Sequence, residues 1–235
     1  MFVIPCKYDS RSPILDSIKS ITEIHPTEKI VLVDSGSEDK SYYKDIEEYD
    51  NVEILDVSNP YRLIGALKHA YEKYPNEGYY VLMHDSVSLK KSIQSFIDSL
   101  DRVKVFMHFS SPLNTLNNVD SDIKKEYIQW MNDIFEKIDY VNDINGYFSN
   151  DFYAIFGTMG IYSNDFVKLL DNKKVLENIK AETFNHGQFS ERVIGYICKC
   201  EGIDISNSID GDALIKWNDI QKDNLEYIRK RFLSR

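Results

Sequence analysis

The order of apolar and polar positions along the chain opens with a strand, a helix and a second strand. Phe2 to Pro5 is a short apolar run of the kind a buried strand makes, and Ser12-Pro13 offers a capping hydroxyl followed by proline in a helix's first turn. Ile14, Leu15, Ile18 and Ile21 supply that helix's apolar face. The run IVLVD, Ile30 to Asp34, is continuous and β-branched, as expected for a strand covered on both faces. It stops at the turn-forming Ser35-Gly36-Ser37.

The alternation then repeats. Val52 to Val57 reads as a third strand, and Asn59-Pro60 as the start of a helix with Ile64, Leu67, Tyr71 and Tyr74 on its apolar face. Tyr79 to Met83 forms a fourth strand that runs into His84-Asp85-Ser86. Ile93, Phe96, Ile97 and Leu100 mark another helix, and Val103, Val105, Met107 and Phe109 alternate as a half-buried strand. Beyond this the pattern loosens into a long helix around Ile123, Tyr127, Trp130, Ile134 and Ile138, then an aromatic stretch from Tyr147 to Tyr162. A helix from about Phe189 ends at Gly202 as its C-cap, and a last helix closes on Arg229, Lys230 and Arg231. This order predicts an α/β fold over residues 1–235: a mostly parallel central sheet with helices on both faces and a C-terminal extension added to it.

Composition narrows the partners. A formal net charge of −10, from 28 Lys and Arg against 38 Asp and Glu, speaks against a nucleic-acid partner, which needs concentrated positive charge. Apolar residues at 43% and 16 tyrosines are enough for a substantial core. With no apolar run of membrane-spanning length and no basic leader before Phe2, the expectation is a cytoplasmic protein without a transmembrane segment. Cys6, Cys198 and Cys200 cannot form a disulfide framework, and they read as buried or half-buried thiols.

Open parallel sheets bind ligands at the carboxyl ends of their strands, so chemistry is expected in the loops after Pro5, Asp34, Val57 and Met83. The sequence has no G-x-G-x-x-G, no P-loop and no G-x-S-x-G elbow, which removes the dinucleotide, phosphate-cradle and hydrolase signatures. Those loops hold instead Tyr8-Asp9, Asp34, Arg62 and His84-Asp85. Together they match the needs of a nucleoside diphosphate: a ring for the base, an acceptor for base or ribose, a cation for the phosphates and oxygen ligands for a divalent metal.

On these residues the sequence resembles the GT-A fold glycosyltransferases, particularly family two. FVIPCKYDS (Phe2 to Ser10) stands where that family has its first strand and base-stacking loop, and KIVLVDSGSED (Lys29 to Asp39) matches its strand-aspartate-glycine-serine pattern. The resemblance implies that Pro5, Tyr8 and Asp9 bind the nucleotide, with Tyr8 stacking on the nucleobase. Asp34 accepts from base or ribose, His84 lies at the nucleotide, and Arg62 in YRLIGALKHAY reaches the diphosphate. GYYVLMHDSVSL (Gly78 to Leu89) falls at the family's aspartate-any-aspartate metal motif but offers only Asp85 as an acid, flanked by His84 and Ser86. Asp85 with His186 would then hold Mn²⁺ or Mg²⁺. FGTMGIYSNDFVKLL (Phe156 to Leu170) is similar to the family's acceptor-pocket segment. FSERVIGYICKCEGI (Phe189 to Ile203) resembles the helix that presents the catalytic carboxylate, here Glu191 in a first turn that stabilises an anion.

The implied division is a nucleotide-sugar-binding half over about residues 1–110 and an acceptor-side half with the C-terminal helix over about 111–235. The implied activity is an inverting transfer of a hexosyl or N-acetylhexosaminyl group from a UDP- or GDP-sugar to a glycan or other hydroxyl acceptor, in surface glycan or polysaccharide synthesis. Two alternatives stay open: a catalytically degenerate binding module, and a sugar-nucleotide nucleotidyltransferase, whose glycine-rich phosphate loop is here CKYDSRSP. Each residue also has a plain structural reading. Asp34 suits an Asx turn, Tyr8 a core or surface ring, Arg62 a solvated helix position, Asp85 a cap, and His84 and His186 satisfied polar groups. Asp210-Gly211-Asp212 reads first as a turn, and Arg229 to Arg235 as a solvated helix face, with a phosphate lid or peripheral membrane contact as the alternative.

Overall fold

Residues that are apolar without alternation need cover on both sides, and the first strands of this protein receive it. A computed structural model of the chain describes residues 1–8, 12–57, 62–110, 120–138, 147 and 151–231. Its strands are β1 (Phe2–Cys6), β2 (Ile30–Asp34), β3 (Val52–Asp56), β4 (Tyr79–Leu82), β5 (Val87–Leu89), β6 (Val103–Val105), β7 (His108–Phe109), β8 (Ala154–Ile155), β9 (Gly160–Ser163) and β10 (Ile228–Lys230). The helices are α1 (Ile14–Ile24), α2 (Tyr43–Ile46), α3 (Arg62–Lys73), α4 (Gln94–Asp98), α5 (Ser121–Phe135), α6 (Asn164–Asn172), α7 (Val175–Asn178), α8 (Phe184–Cys200) and α9 (Trp217–Gln221), with a 3₁₀ turn at Phe156–Thr158.

The central sheet has the order β3-β2-β1-β4-β9-β6. β1, β2, β3 and β4 run parallel, in the register Pro5↔Val33, Cys6↔Asp34 and Asp34↔Asp56, while β9 lies antiparallel between β4 and β6. The fold is thus α/β with a mostly parallel sheet flanked by helices, as the residue pattern predicts. β9 lies in the chain's second half, so that half does more than extend the sheet's edge. It supplies an interior strand.

Side chains alternate across the sheet and divide the core in two. Val3, Val31, Val33 and Leu82 face Ile64, Leu67 and Ala70 of α3 together with α5 and α8. Phe2, Ile4, Ile30, Leu32 and Val81 face Ile14, Ile18 and Ile21 of α1. Each fully buried side chain of this size contributes about 1.5–3 kcal/mol, so IVLVD is held from both sides.

Several expected elements differ from those observed. α1 starts at Ile14 behind Pro13 with no side-chain cap, because the Ser12 hydroxyl lies 3.4 Å from the Asp85 carboxylate instead. Asn59-Pro60 lies outside the described residues, and α3 begins at Arg62. β5 follows the 84–86 loop, and only Gln94–Asp98 of the next apolar pattern is helical. Val103 to Phe109 is two strands rather than one, buried continuously from Val105, because the chain leaves the main sheet to pair β7 with β8.

α8 starts five residues before Phe189, capped by Thr183 Oγ1, which accepts from the His186 N–H. Its polar first turn hides that start from a periodicity reading. It ends as expected at Gly202, whose φ of +70° suits the glycine; Gly202 and Ile203 N–H groups return to the carbonyls of Lys199 and Cys198. Through Arg231, the last described residue, the basic end is not helical. Ile228–Lys230 pairs antiparallel with β5, whose edge supplies the partner. Cys200 is exposed, whereas Cys6 and Cys198 are buried. No helix among the described residues is long and apolar enough to cross a membrane.

Candidate active site

Strand order reverses at β1, with β2 on one side and β4 on the other, so a crevice opens at the carboxyl ends of β1 and β4. Asp34 ends β2 there and is fully buried. Its Oδ1 accepts from the Ser37 N–H at 2.7 Å, and its Oδ2 accepts from Tyr42 Oη at 2.9 Å and Tyr43 Oη at 2.6 Å. Burial pushes this carboxyl up, but the Tyr43, Ser37 and Tyr42 donors outweigh it and hold the group below the ordinary aspartate range. The Asx turn is therefore present, and it carries a tyrosine pair as well.

The same turn fixes Tyr8. Its N–H donates to Ser37 Oγ at 2.7 Å, and its ring stacks on Tyr42 with centroids 4.3 Å apart and planes at 15°. Across the crevice, Asp85 is tied to the β1 side: Ser17 Oγ donates to its carbonyl at 2.7 Å. Cys6, the last residue of β1, feels both charges; burial first, then Asp85 and Asp34, push its thiol up to about 12. Tyr8, Asp34 and Asp85 accordingly share one rim.

Glu191 approaches that rim from α8. It lies in the interior of the helix, so the expected support from a helix N-terminus is absent, and the carboxylate is positioned by a neighbour instead. Gly157 N–H donates to Glu191 Oε1 at 2.8 Å. Gly157 has φ +61°, and a Cβ placed on it would fall 2.5 Å from His84 Nε2, so the imidazole lies directly against this glycine. A cleft of about 80 Å³ is lined by His84, Gly157, Thr158, Gln188, Ser190 and Glu191. Glu191 is half-buried with its carboxyl densely surrounded; burial raises it to about 7, against the pull of Arg192, the Gly157 N–H and Lys230.

Lys230 closes the group from β10. Its Nζ donates to Ser86 Oγ at 2.6 Å, and it couples to Asp85 and Glu191. Burial lowers this ammonium to about 8 despite both carboxylates. The site therefore joins Asp85, Ser86, Glu191 and Lys230 from three separate stretches of chain.

The chain is similar to glycosyltransferases of known structure. S. aureus TarS 1–349 in complex with UDP is 17% identical, with 80% of this chain and 53% of that one covered and a TM-score of 0.44. The galactosyltransferase LgtC in complex with donor and acceptor sugar analogues is 10% identical, with 82% and 69% covered and a TM-score of 0.44. GalNAc-T7 with UDP, GalNAc and Mn²⁺ is 17% identical, with 46% and 22% covered and a TM-score of 0.39. This chain thus spans about half of the TarS structure and under a quarter of GalNAc-T7. No family model matches it, and no curated protein does.

The other expected site residues fall as follows. Pro5 lies in β1 opposite Val33. Asp9 and the Arg62 side chain lie outside the described residues, although Arg62 begins α3. His186 is not brought to Asp85: it stacks on Trp130 at 5.4 Å, with Nε2 3.3 Å from Glu126 Oε1. Among the described residues no three His, Cys, Asp or Glu side chains gather as metal ligands, and the Lys230 ammonium sits on Ser86, the residue that follows Asp85. Among the described residues this donor set falls short of the several oxygen ligands a divalent ion takes. Asp210 and Asp212 are structural, as their turn reading has it. Asp210 accepts from the N–H groups of Glu226, Tyr227 and Ile228, and Asp212 from Ser110, Leu214 and Ile215.

Sequence reasoning misses Lys230, Gly157 and the Tyr42–Tyr43 pair. Arg229 and Arg231 pair with Asp223 and Asp16, while Lys230 turns to the opposite face. A period of two would have revealed this, but three basic residues in a row conceal it.

Proposed function

We propose that the protein is a glycosyltransferase that moves a sugar, a hexose or N-acetylhexosamine, from a nucleoside diphosphate donor to a hydroxyl acceptor with inversion, in glycan or polysaccharide synthesis. One observation carries the reading: a carboxylate, Glu191, with affinity for a proton near neutrality, lines a cleft beside the strand-end rim that bears Tyr8, Asp34 and Asp85. A general base works best when its pKa lies near the working pH.

In this reading Pro5, Tyr8, Asp9, Asp34, Arg62 and His84 receive the nucleotide. Tyr8 has Tyr42 behind its ring, which stiffens it as a stacking platform. Three donors already reach Asp34, and a carboxylate offers about four acceptor positions, so the nucleotide gains at most one direct bond there while the ordered turn shapes its pocket. For the transfer itself, the acceptor's O–H bond breaks and its proton passes to Glu191. The acceptor oxygen bonds to the anomeric carbon from the face opposite the diphosphate. The bond from that carbon to the diphosphate oxygen breaks, and its electron pair leaves with the nucleotide.

The test is donor binding and turnover by the purified protein. UDP, GDP or CDP, alone or as sugar conjugates, should raise the melting temperature, and a UDP- or GDP-sugar should be consumed with release of nucleoside diphosphate. If none of these ligands binds, the reading falls. The incomplete acidic motif at His84-Asp85-Ser86 favours one alternative, a degenerate binding module, which binds nucleotide without turnover.

A further inference from the structure

A divalent ion in a nucleotide-diphosphate site bridges protein carboxylates to phosphate oxygens, and it needs several hard oxygen ligands to do so. At this rim the described residues offer Asp85 as the acid of its loop. The next residue of that loop holds a cation. Lys230 Nζ donates to Ser86 Oγ at 2.6 Å, in the loop that would carry metal ligands, and stands within electrostatic reach of both Asp85 and Glu191. An ammonium has three N–H donors and no lone pair, so it cannot ligate a cation and repels one. Those donors suit phosphate oxygens.

The fold holds Lys230 in place at several points. β10 pairs with β5 in the register Lys230↔Val87, and Arg231 N–H donates to the Ser86 carbonyl at 2.9 Å. Upstream, the buried Asp210 accepts from Glu226 and Tyr227 through Oδ1 and from Ile228 through Oδ2, fixing the entry to the strand. On the far side of the rim, Ser12 and Ser17 tie Asp85 to the start of α1. Arg229 and Arg231 pair with Asp223 and Asp16, and Lys230 between them in the chain is the one of these three that reaches the Ser86 loop.

We infer that Lys230 stands in for the divalent cation: its ammonium, seated on Ser86 beside Asp85 and Glu191, meets the donor's diphosphate, and donor binding requires no metal. Asp85 then orients the ammonium rather than ligating an ion. The inference rests on the donor-site reading above, and the two can fail separately.

Titration calorimetry of the full chain with UDP, GDP and CDP, in EDTA and again in Mn²⁺, tests it. At least one nucleotide should bind with the same Kd, within about twofold, in both conditions, and Lys230→Met should weaken that binding on the order of tenfold to a hundredfold, the scale of a charge-assisted hydrogen bond. Lys230→Arg keeps the charge and should retain more of the affinity than Lys230→Met. The wild-type comparison needs no variant, so poor folding of Lys230→Met leaves the test intact. Binding that appears only with Mn²⁺, or metal-free binding that Lys230→Met keeps, overturns the inference and leaves the proposed function standing. Absence of binding by all three nucleotides in both conditions overturns both.

Discussion

The backbone N–H of Gly157 lies 2.8 Å from Oε1 of Glu191, so the catalytic candidate on α8 is aimed by a glycine in the 3₁₀ turn between β8 and β9. That glycine has φ +61°, and a Cβ there would meet His84 Nε2 at 2.5 Å and Cδ2 at 2.9 Å. Gly157→Ala should therefore cost about 1–2 kcal/mol for the backbone conformation and displace the His84 ring. A urea unfolding curve measures the first effect, and a fall in transfer rate measures the second.

Glu191 supplies a pH signature. Its carboxyl is raised by burial to about 7, so transfer should fall about tenfold per pH unit below that value. The stability consequence has the opposite sense. A raised acid pKa stabilises the folded state fully below the unfolded value of 4.5, and that contribution is lost as pH rises through about 7. Glu191→Gln should thus abolish transfer while melting higher than the wild type at about pH 8, with the gain shrinking toward acid pH. Full transfer activity in the variant would remove Glu191 from the mechanism.

Asp34 should matter to stability and donor binding together. Asp34→Ala leaves the Ser37 N–H and two tyrosine hydroxyls without their acceptor, at a cost of about 1–3 kcal/mol, and releases the Tyr8 platform through Ser37. Because its folded pKa is depressed, the wild-type contribution exists above the unfolded aspartate value and is lost as pH falls through the folded one. Tyr43→Phe removes one donor and should cost about 0.5–1.5 kcal/mol. Chemical denaturation at neutral pH gives both values; unchanged nucleotide affinity in Asp34→Ala would refute the donor-site assignment.

Asp210 is predicted to act at a distance. It holds three consecutive N–H groups at the entry to β10, so Asp210→Ala should destabilise the fold by about 1–3 kcal/mol and loosen the strand that carries Lys230. Hydrogen exchange should show faster exchange at Tyr227 and Ile228 than at β1 amides. Unchanged protection there would mean that β10 is held by other contacts.

Strand and helix alternation over the first half was legible because it depends on local apolar periodicity. IVLVD announced a strand covered on both faces, and α3 and α1 provide those covers. Asp34, Tyr8 and Asp85 were legible as candidates because parallel sheets gather chemistry at strand ends. The strand at Ile228–Lys230 is not legible in the sequence, because three residues are too short a pattern to announce a strand and its partner β5 is remote in sequence.

The sequence by itself determined the strand and helix alternation of the first half, the two-sided burial of the central strands and the turn after Asp34. Only tertiary structure decided that Lys230 reaches Ser86 in the loop of Asp85, that Gly157 rather than a helix end positions Glu191, and that His186 stacks on Trp130. The physical reason is range. Periodicity, capping and turn chemistry act within a few residues, whereas the charge and burial that define a site arise between segments that meet only once the sheet is assembled.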